Sequence, residues 1–502
     1  MIFPPLRSVA AVTGWRAYAA AAVFGALSAA ALPPVHAIPV LLVSVPALLT
    51  LIGATAGWRG GFAIGFWFGF GHHIPGLYWI TEAILFEAAR FWWLVPLAVP
   101  GLAAVLALFI AIPCALARLV PDGWRRVLVL AGTWVLGDLA RQFVATGFPW
   151  NLWGSVWAVP GPVGDVFIQP ASLISVHGLT LATILLAATP ALGRQFMLAG
   201  AVALAAWAGF GVWRLSGPPP ALPGVSVVLV QGNVAQGQKW DRDFVVGIFE
   251  RYLKLTHDGL EQAKAPALVV WPETASPFLL ESDPTARAYI AQAARGPSLV
   301  GTVRFDAQQR PRNSLLAMDA DGVPVGVYDK WHLVPFGEYQ PSWMPLPIQV
   351  VPGGGFAPGP GPATLRVPGV PPVGPIICYE AIFPGQIVNE ADRPDWIVNV
   401  TNDAWFGNST GPRQHLAAAR MRAVEEGLPL LRAANTGISA AFDAFGREQA
   451  RLGMNQTGFV VTPLPGHLPA TVFARAGLLL PAALAVVVAL TGFLPSRRTR
   501  QA

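Results

Sequence analysis

Long apolar runs separated by short polar loops occupy the first 215 residues of the chain. Because about 20 apolar residues are needed to cross a bilayer, these runs predict seven membrane helices, several of them short or interrupted by glycine and proline. A further run near the C-terminus predicts an eighth. The predicted helices cover residues 18–32, 38–56, 61–80, 92–117, 127–139, 171–186, 196–213 and 476–494.

The pattern changes between residues 225 and 465, where short apolar runs alternate with polar turns. Helical periodicity at residues 244–262, 285–294 and 415–426 falls between several of these runs. The alternation of strand and helix predicts an α/β sandwich, and the Gly- and Pro-rich stretch 351–374 predicts a long loop. The predicted strands cover residues 225–230, 268–271, 298–302, 314–318, 373–377, 396–400, 428–432 and 438–442.

A proline-rich linker, Ser216-Gly217-Pro218-Pro219-Pro220, cannot continue a helix and marks the exit from the membrane. The predicted organisation is therefore a membrane domain of seven transmembrane helices at residues 1–215, and a soluble α/β domain at residues 224–466. A C-terminal transmembrane helix with a cytoplasmic tail follows at residues 474–502.

Composition supports this division, since 54% of the residues are hydrophobic and 12% are charged, against about 45–50% and 25% in soluble domains. The chain is therefore predicted to be an integral membrane protein. Its net charge of +6 is not concentrated on one polar face, so no nucleic-acid partner is predicted.

Basic residues are unevenly distributed between the loops on the two sides of the predicted helices. One side holds Arg7, Arg16, Arg59, Arg118, Arg125, Arg126, Arg194, Arg497, Arg498 and Arg500, and the other holds Arg90, Arg141 and Arg214. The positive-inside rule then places both termini in the cytoplasm and the soluble domain on the periplasmic face of a bacterial inner membrane. The first apolar run also resembles a cleavable signal peptide, but it continues directly into further spans, so we predict its retention.

The chain has two cysteines, Cys114 and Cys378. Cys114 lies inside an apolar run, where a small buried hydrophobic side chain is expected. Cys378 ends a predicted strand in the sequence Ile377-Cys378-Tyr379-Glu380 and is the candidate nucleophile. Two cysteines so far apart predict neither a disulfide framework nor a zinc site.

Two other polar segments follow a predicted strand or a turn. They are Trp271-Pro272-Glu273 and the run from Tyr328 to Glu338, which contains Lys330. A carboxylate can take the proton of a thiol, and an ammonium group can lower the thiol pKa and stabilise an oxyanion. Each residue alone has an ordinary structural explanation, as a solvated surface charge or a buried cysteine. Together they fit acyl transfer.

The motifs Trp-Pro-Glu, Lys-x-His-Leu-Val-Pro-Phe-Gly-Glu-Tyr and Cys-Tyr-Glu, in this order, resemble the nitrilase superfamily and more closely its membrane branch, the apolipoprotein N-acyltransferases. The segments Gln231-Gly232-Asn233 and residues 400–407 add to the likeness, which extends over the membrane helices. The resemblance implies a polytopic α-helical membrane domain of about eight transmembrane helices plus a nitrilase-like α-β-β-α sandwich.

The resemblance also implies roles for individual residues. Glu273 matches the catalytic glutamate, which is the general base, Lys330 matches the catalytic lysine that supports the tetrahedral intermediate, and Cys378 matches the nucleophile. Four supporting active-site positions match as well, namely Glu338, Tyr379, Glu380 and Trp240. No metal and no cofactor are implied.

The family reaction, as the resemblance implies it, has two steps. Cys378 takes an acyl chain from a phosphatidylethanolamine-like phospholipid as a thioester, and the free α-amino group of a diacylglyceryl-cysteine at an apolipoprotein N-terminus then attacks it. The membrane and these two lipids are the expected partners, and the enzyme is expected to be a monomer.

Two other functions are compatible with the motifs. A membrane-tethered nitrilase-type amidase acting on a small amide would need only one membrane anchor, so seven helices before the domain argue against it. A non-catalytic lipid-binding scaffold on an inactive nitrilase frame is disfavoured by the joint presence of Glu273, Lys330 and Cys378.

Trp150, Trp153 and Trp157 form an aromatic cluster beside the fifth predicted helix. An interfacial belt is the favoured interpretation. The alternative is a surface that admits acyl chains.

Overall fold

A computed structural model of the chain describes residues 9, 11–85, 88–239, 241–264, 266–342 and 355–494. The chain divides into two compact units. Residues up to Arg214 and residues from Arg475 onward form a helical unit, and Leu215–Ala474 form an α/β unit.

The helical unit contains an observed helix within each of the eight predicted runs. In the described part of the chain, three helical segments are long and apolar enough to cross a membrane, namely Ala88–Ala117, Ala171–Leu192 and Arg194–Leu215, and two shorter apolar ones are Ile38–Gly53 and Leu479–Phe493. That all eight helices span the bilayer stays a prediction. The helices up to the linker are α1 Trp15–Ser28, α2 Leu41–Gly53, α3 Trp58–Leu77, α4 Ile80–Leu85, α5 Ala88–Phe91, α6 Val95–Ala117, α7 Trp124–Phe143, α8 Pro162–Phe167, α9 Ala171–Ala187, α10 Thr189–Leu192 and α11 Arg194–Leu215.

Small residues let the helices of this unit approach closely. A Cβ placed on Gly25 of α1 would lie 1.9 Å from the Phe68 carbonyl oxygen of α3, and one on Gly71 would lie 2.0 Å from the Ala22 carbonyl oxygen. Such contacts are typical of helices that associate inside a bilayer, where backbone proximity replaces the hydrophobic driving force.

The aromatic cluster lies inside the helical unit, which contradicts the interfacial belt expected from the sequence. Trp150, Trp153 and Trp157 are all buried. Trp153 packs against Trp134 with ring centroids 4.7 Å apart, and the indole N–H of Trp157 donates to the Thr183 hydroxyl at 2.8 Å. Internal packing, rather than anchoring at the membrane surface, accounts for these side chains.

The α/β unit contains eleven strands in the part of the chain that the structure describes. They form a six-stranded sheet of order β11-β1-β2-β3-β4-β5 and a five-stranded sheet of order β10-β9-β8-β7-β6. The strands are β1 Ser226–Gln231, β2 Ala267–Trp271, β3 Ser298–Phe305, β4 Pro311–Met318, β5 Pro324–Asp329, β6 Val373–Ile377, β7 Trp396–Thr401, β8 Leu430–Ala434, β9 Ser439–Phe442, β10 Glu448–Leu452 and β11 Gly458–Pro463.

Each sheet combines three parallel strands with antiparallel ones, and the parallel strands lie in the middle of the six-stranded sheet and at one edge of the five-stranded sheet. Strands β1, β2 and β3 run parallel, as do β6, β7 and β8. The other pairs are antiparallel. Parallel strands are buried on both faces, which explains the uninterrupted apolar runs that made them recognisable in the sequence.

Helices cover the outer face of each sheet, which completes the predicted α-β-β-α sandwich. The inner faces share one core, with Leu229 and Val270 from one sheet and Val398 and Leu431 from the other. The outer face of the six-stranded sheet packs on α12 and α13, and that of the five-stranded sheet packs on α14. The remaining helices are α12 Val245–Gln262, α13 Pro284–Ala294, α14 Gly411–Glu426, α15 Val472–Ala476 and α16 Leu479–Phe493.

The predicted long loop is confirmed where it is described. Residues 355–372 contain no regular helix or strand, and residues 351–354 lie outside the described residues.

Candidate functional site

The predicted site residues lie at strand ends of both sheets. Glu273 comes two residues after β2, Lys330 directly after β5 and Cys378 directly after β6. Asn402, directly after β7, joins them, because its backbone N–H donates to Glu273 Oε2 at 2.7 Å. That hydrogen bond links the two sheets at the site.

Lys330 is the centre of the polar contacts. Its ammonium lies 3.3 Å from Glu273 Oε1 and 2.9 Å from Glu338 Oε2, and its side chain is only 1% exposed. The Nδ2 of Asn313 donates to Glu273 Oε1 at 2.7 Å and to Glu338 Oε1 at 2.9 Å. One cation and one amide therefore hold two carboxylates in a site from which solvent is excluded.

Burial and charge act in opposite directions on these groups. Burial lowers the pKa of Lys330, but the carboxylates of Glu273 and Glu338 outweigh it and hold that pKa above its ordinary value. Burial raises the pKa of Glu273, and the Lys330 ammonium and the Asn313 amide outweigh it and hold that pKa below its ordinary value. Lys330 is therefore protonated and Glu273 ionised at neutral pH.

Cys378 has the left-handed backbone conformation, with φ 50°, which is rare for residues other than glycine. It begins the short 3₁₀ helix Cys378–Ile382. Burial, followed by the charge of Glu273, raises the pKa of the thiol, and the opposing effects of Lys330 and of a hydrogen bond from Thr401 are smaller. Lys330 lowers the thiol pKa, as the sequence predicted, but desolvation and the charge of Glu273 outweigh it in the resting site.

The supporting residues surround the same strand ends. Glu338 Oε2 accepts from the backbone N–H of Val334 at 2.8 Å, which closes a turn beside Lys330. Tyr379 is buried and packs edge-on against Phe383, with ring centroids 5.2 Å apart. Trp240 lies outside the described residues.

Glu380 fixes the backbone on both sides of the site. Its carboxylate accepts from the backbone N–H of Ile377 at 2.6 Å, from that of Trp331 at 2.8 Å and from the hydroxyl of Tyr328 at 2.9 Å. Because Ile377 precedes the thiol and Trp331 follows Lys330, this carboxylate joins the chain segments that carry both groups.

Several further residues of the site were missed in the sequence. Asn313, Lys239 and Arg432 had no motif that marked them, whereas Asn402 and Asp403 lay inside the noted segment 400–407. Lys239 is one of only four lysines in the chain and is buried, which is unusual for this residue type. A lysine in a chain with few lysines, directly before the candidate residue Trp240, was the signal that could have identified Lys239.

Lys239 holds the turn that carries Glu273. Its ammonium donates to the backbone carbonyl of Glu273 at 3.0 Å and to the hydroxyl of Thr274. Thr274 has φ 45°, so these bonds stabilise a turn with an unfavourable backbone conformation.

Substitution of Lys239 by methionine is expected to remove a pH-dependent part of the stability. Burial lowers the pKa of Lys239 to about 8, against an ordinary value of 10.5, although Glu273 and Cys378 act in the opposite direction. The folded state therefore binds fewer protons between these two values, and the free energy of unfolding of the wild type should rise with pH by about 3 kcal/mol across this range. Thermal unfolding of both proteins in detergent, followed on either side of this range, measures the difference.

Lys254 provides the matched control, since its side chain is 75% exposed and is paired only with Asp258 on the surface of α12. Lys254→Met should retain the pH dependence of the wild type. Identical pH dependence in Lys239→Met and the wild type would contradict the assignment.

Cys378, Asp403 and His415 form the group whose chemistry comes nearest to a metal site in the described chain. One donor atom from each lies within 4.8 Å of the others. The atoms are already committed, however, because Arg432 Nη2 bonds Asp403 at 2.7 Å and His415 Nε2 bonds the Cys378 carbonyl at 2.8 Å. The guanidinium charge would oppose a cation at this place.

Residues 227–466 match the family model described as carbon-nitrogen hydrolase, and this stretch holds Glu273, Lys330 and Cys378 at strand ends of the α-β-β-α sandwich. Residues 24–189 match the model of the apolipoprotein N-acyltransferase N-terminal domain. The apolipoprotein N-acyltransferase of Rhodopseudomonas palustris is 41% identical over 97% of this chain and 96% of that protein. The chain therefore belongs to the apolipoprotein N-acyltransferase family.

A second relative is similar over nearly the whole chain. The apolipoprotein N-acyltransferase of Bradyrhizobium diazoefficiens is 41% identical over 99% of this chain and 98% of that protein. Among solved structures, an amidase from Nesterenkonia is 20% identical and covers 50% of this chain and 94% of that one, with a TM-score of 0.37. The protein is thus an acyltransferase of lipoprotein N-acylation, in a family of the bacterial inner membrane.

Proposed function

We propose that Cys378 carries the acyl chain between a phospholipid donor and the α-amino group of a diacylglyceryl-cysteine on an apolipoprotein. The observation that supports this proposal most directly is the convergence of Glu273, Lys330 and the buried Cys378 thiol at neighbouring strand ends. A thioester intermediate divides one difficult transfer into two easier ones.

In the first step, Glu273 takes the proton of the Cys378 thiol while the sulfur attacks the ester carbonyl carbon of the phospholipid. The oxyanion that forms is stabilised by the ammonium of Lys330. The carbon–oxygen bond then breaks, the proton on Glu273 passes to the departing oxygen, and a lysophospholipid leaves. Because the resting thiol is protonated, proton transfer and attack belong to one step.

In the second step, the neutral α-amino group attacks the thioester carbon and gives a proton to Glu273. The carbon–sulfur bond breaks, and that proton returns to the sulfur of Cys378. An amide is formed, and the site regains its starting protonation. Lys330 keeps its proton throughout, consistent with the two carboxylates that raise its pKa.

The supporting residues have positioning roles in this proposal. Glu338 shares the Lys330 ammonium with Glu273, and Glu380 holds the segments on either side of the site. Tyr379 supplies the peptide that follows the nucleophile, and Trp240, which follows Lys239 in the sequence, is proposed as a further supporting residue. The donor headgroup is proposed to be of the phosphatidylethanolamine type.

The topology is part of the proposal. We place residues 1–215 and 474–502 in the membrane domain, residues 224–466 in the periplasm and both termini in the cytoplasm, as a monomer. The uneven distribution of arginine between loops supports it. Labelling of single introduced cysteines from outside intact spheroplasts tests it, since only sites in the catalytic domain and the outer loops should react.

Mass spectrometry after incubation with phosphatidylethanolamine tests the acyl carrier. The Cys378 peptide should gain one fatty acyl group, which hydroxylamine removes because it is a thioester. Cys114→Ser is the matched control and should acquire the same adduct, since Cys114 is buried in helix α6. An adduct on any residue other than Cys378, or none during active turnover, would refute the proposed carrier.

A further inference from the structure

A buried polar network of His415, Asp403 and Arg432 contacts the backbone of Cys378. The proposed steps do not use these residues. His415 of α14 directs Nε2 at the Cys378 carbonyl oxygen, 2.8 Å away. A carbonyl oxygen can only accept a hydrogen bond, so Nε2 carries a proton. Cys378 and His415 are both buried.

The other ring nitrogen of His415 is fixed by two charged groups. Nδ1 lies 3.0 Å from Asp403 Oδ1 and 3.1 Å from Arg432 Nη2, and Arg432 also donates to Asp403 Oδ2 at 2.7 Å. Burial and then Arg432 lower the pKa of His415, although Asp403 opposes them. Nε2 keeps its proton toward the Cys378 carbonyl, and the contacts of Nδ1 with Asp403 and Arg432 hold the other edge of the ring in place.

The network returns to the nucleophile by a second route. The Thr401 hydroxyl donates to Asp403 Oδ1 at 3.1 Å, and Thr401 also lies beside the Cys378 thiol, whose pKa it lowers slightly. Room for the carboxylate depends on Gly437, where a Cβ would lie 2.1 Å from Asp403 Oδ2. The sulfur and the carbonyl of Cys378 are thus tied to one ion pair.

A trans peptide points its C=O and N–H in opposite directions. A hydrogen bond that fixes the Cys378 carbonyl therefore also fixes the direction of the Tyr379 N–H, together with the left-handed conformation of Cys378 at φ 50°. Without a partner on that carbonyl, the peptide could rotate and carry the thiol away from its line of attack.

We propose that His415 is a positioning residue for acyl transfer, which holds the Cys378–Tyr379 peptide in its reactive orientation, and that Arg432 and Asp403 fix the orientation of its ring. The inference rests on the proposed role of Cys378 as nucleophile. His415 contacts the backbone of the nucleophile and does not exchange a proton with the substrate.

Two polar substitutions that differ only in reach test this role. The amide of His415→Gln can place a nitrogen near the position of Nε2 and donate to the Cys378 carbonyl, whereas His415→Asn is one methylene too short. Acylation of Cys378 by phosphatidylethanolamine should be about 100-fold slower in His415→Asn and within about tenfold of the wild type in His415→Gln, as expected for misplacement of a reacting atom. The phospholipid concentration at half-maximal rate should not change in either variant.

Arg420 supplies the control, because it is buried on the same helix and donates to the Gly446 carbonyl at 2.7 Å without a contact to Cys378 among the described hydrogen bonds. Arg420→Gln should acylate at the wild-type rate. Equal rates in His415→Gln and His415→Asn, or an Arg420→Gln variant as slow as His415→Asn, would overturn the inference. Cys378→Ser, measured alongside, separates the two proposals, since full acyl transfer in that variant would refute the nucleophile itself.

Discussion

Cys378→Ser is expected to slow N-acylation of a diacylglyceryl lipopeptide by about 10,000-fold or more, the range seen when a catalytic nucleophile is removed. A serine hydroxyl is a weaker acid than a thiol, and Glu273 is a weak base because Lys330 and Asn313 hold its pKa low. The oxygen ester that serine would form is also less reactive towards an amine than a thioester. Product formation with a phosphatidylethanolamine donor measures the effect.

Cys114→Ser is the matched control for this substitution. It removes the other cysteine of the chain from an apolar helix and should leave the acylation rate close to that of the wild type. A Cys378→Ser enzyme that N-acylates at the wild-type rate would exclude the thioester mechanism.

Lys330→Met is expected to have the second large effect, on both stability and activity. The substitution leaves the carboxylates of Glu273 and Glu338 in a buried site without the ammonium that lies about 3 Å from each. Removing one partner of a buried ion pair costs about 3–5 kcal/mol of unfolding free energy. Loss of an oxyanion-stabilising charge should also reduce the acylation rate by about 100- to 1,000-fold.

Combined variants separate these two consequences. Neutralising Glu338 as well, in Lys330→Met/Glu338→Gln, keeps Glu273 as the base and should restore part of the stability and none of the activity. Lys254→Met, at the exposed surface of α12, should change the unfolding free energy by less than about 0.5 kcal/mol. Recovery of activity together with stability would show that Lys330 acts only through folding.

The strands that could be predicted from the sequence are those whose side chains are buried along most of their length. All eight predicted strands correspond to observed ones, whereas β5, β10 and β11 were not predicted. These three are edge strands of their sheets, and each alternates or exposes its side chains. An edge strand is only partly covered, so its composition resembles that of a loop.

The site divides in the same way. Glu273, Lys330 and Cys378 were recognisable because each lies in a distinctive motif after a predicted strand or a turn. The amides and charges that orient them come from positions with no motif, such as Asn313 in the middle of β4 and Arg432 in β8. The role of these residues depends on which atoms come into contact when the two sheets pack together. The sequence pattern does not contain that information.

The pKa of the Cys378 thiol could not be predicted from the neighbouring charge alone. The motif correctly indicated a lysine near Cys378, but not the balance between its charge and desolvation. Burial and Glu273 raise the thiol pKa more than Lys330 lowers it. A neutral resting thiol suits an enzyme of lipid surfaces, since a free thiolate is the form that oxidants attack.

The hydrogen bond from Asn402 to Glu273 has a consequence for the biogenesis of the enzyme. The ribosome delivers Glu273 and Lys330 before Cys378, and the five-stranded sheet that orients the thiol is completed only after Phe442 and Leu452 have emerged. An unfinished chain therefore has a base and a cation but no aligned sulfur. The site is therefore complete only after the last strands of the five-stranded sheet have been made.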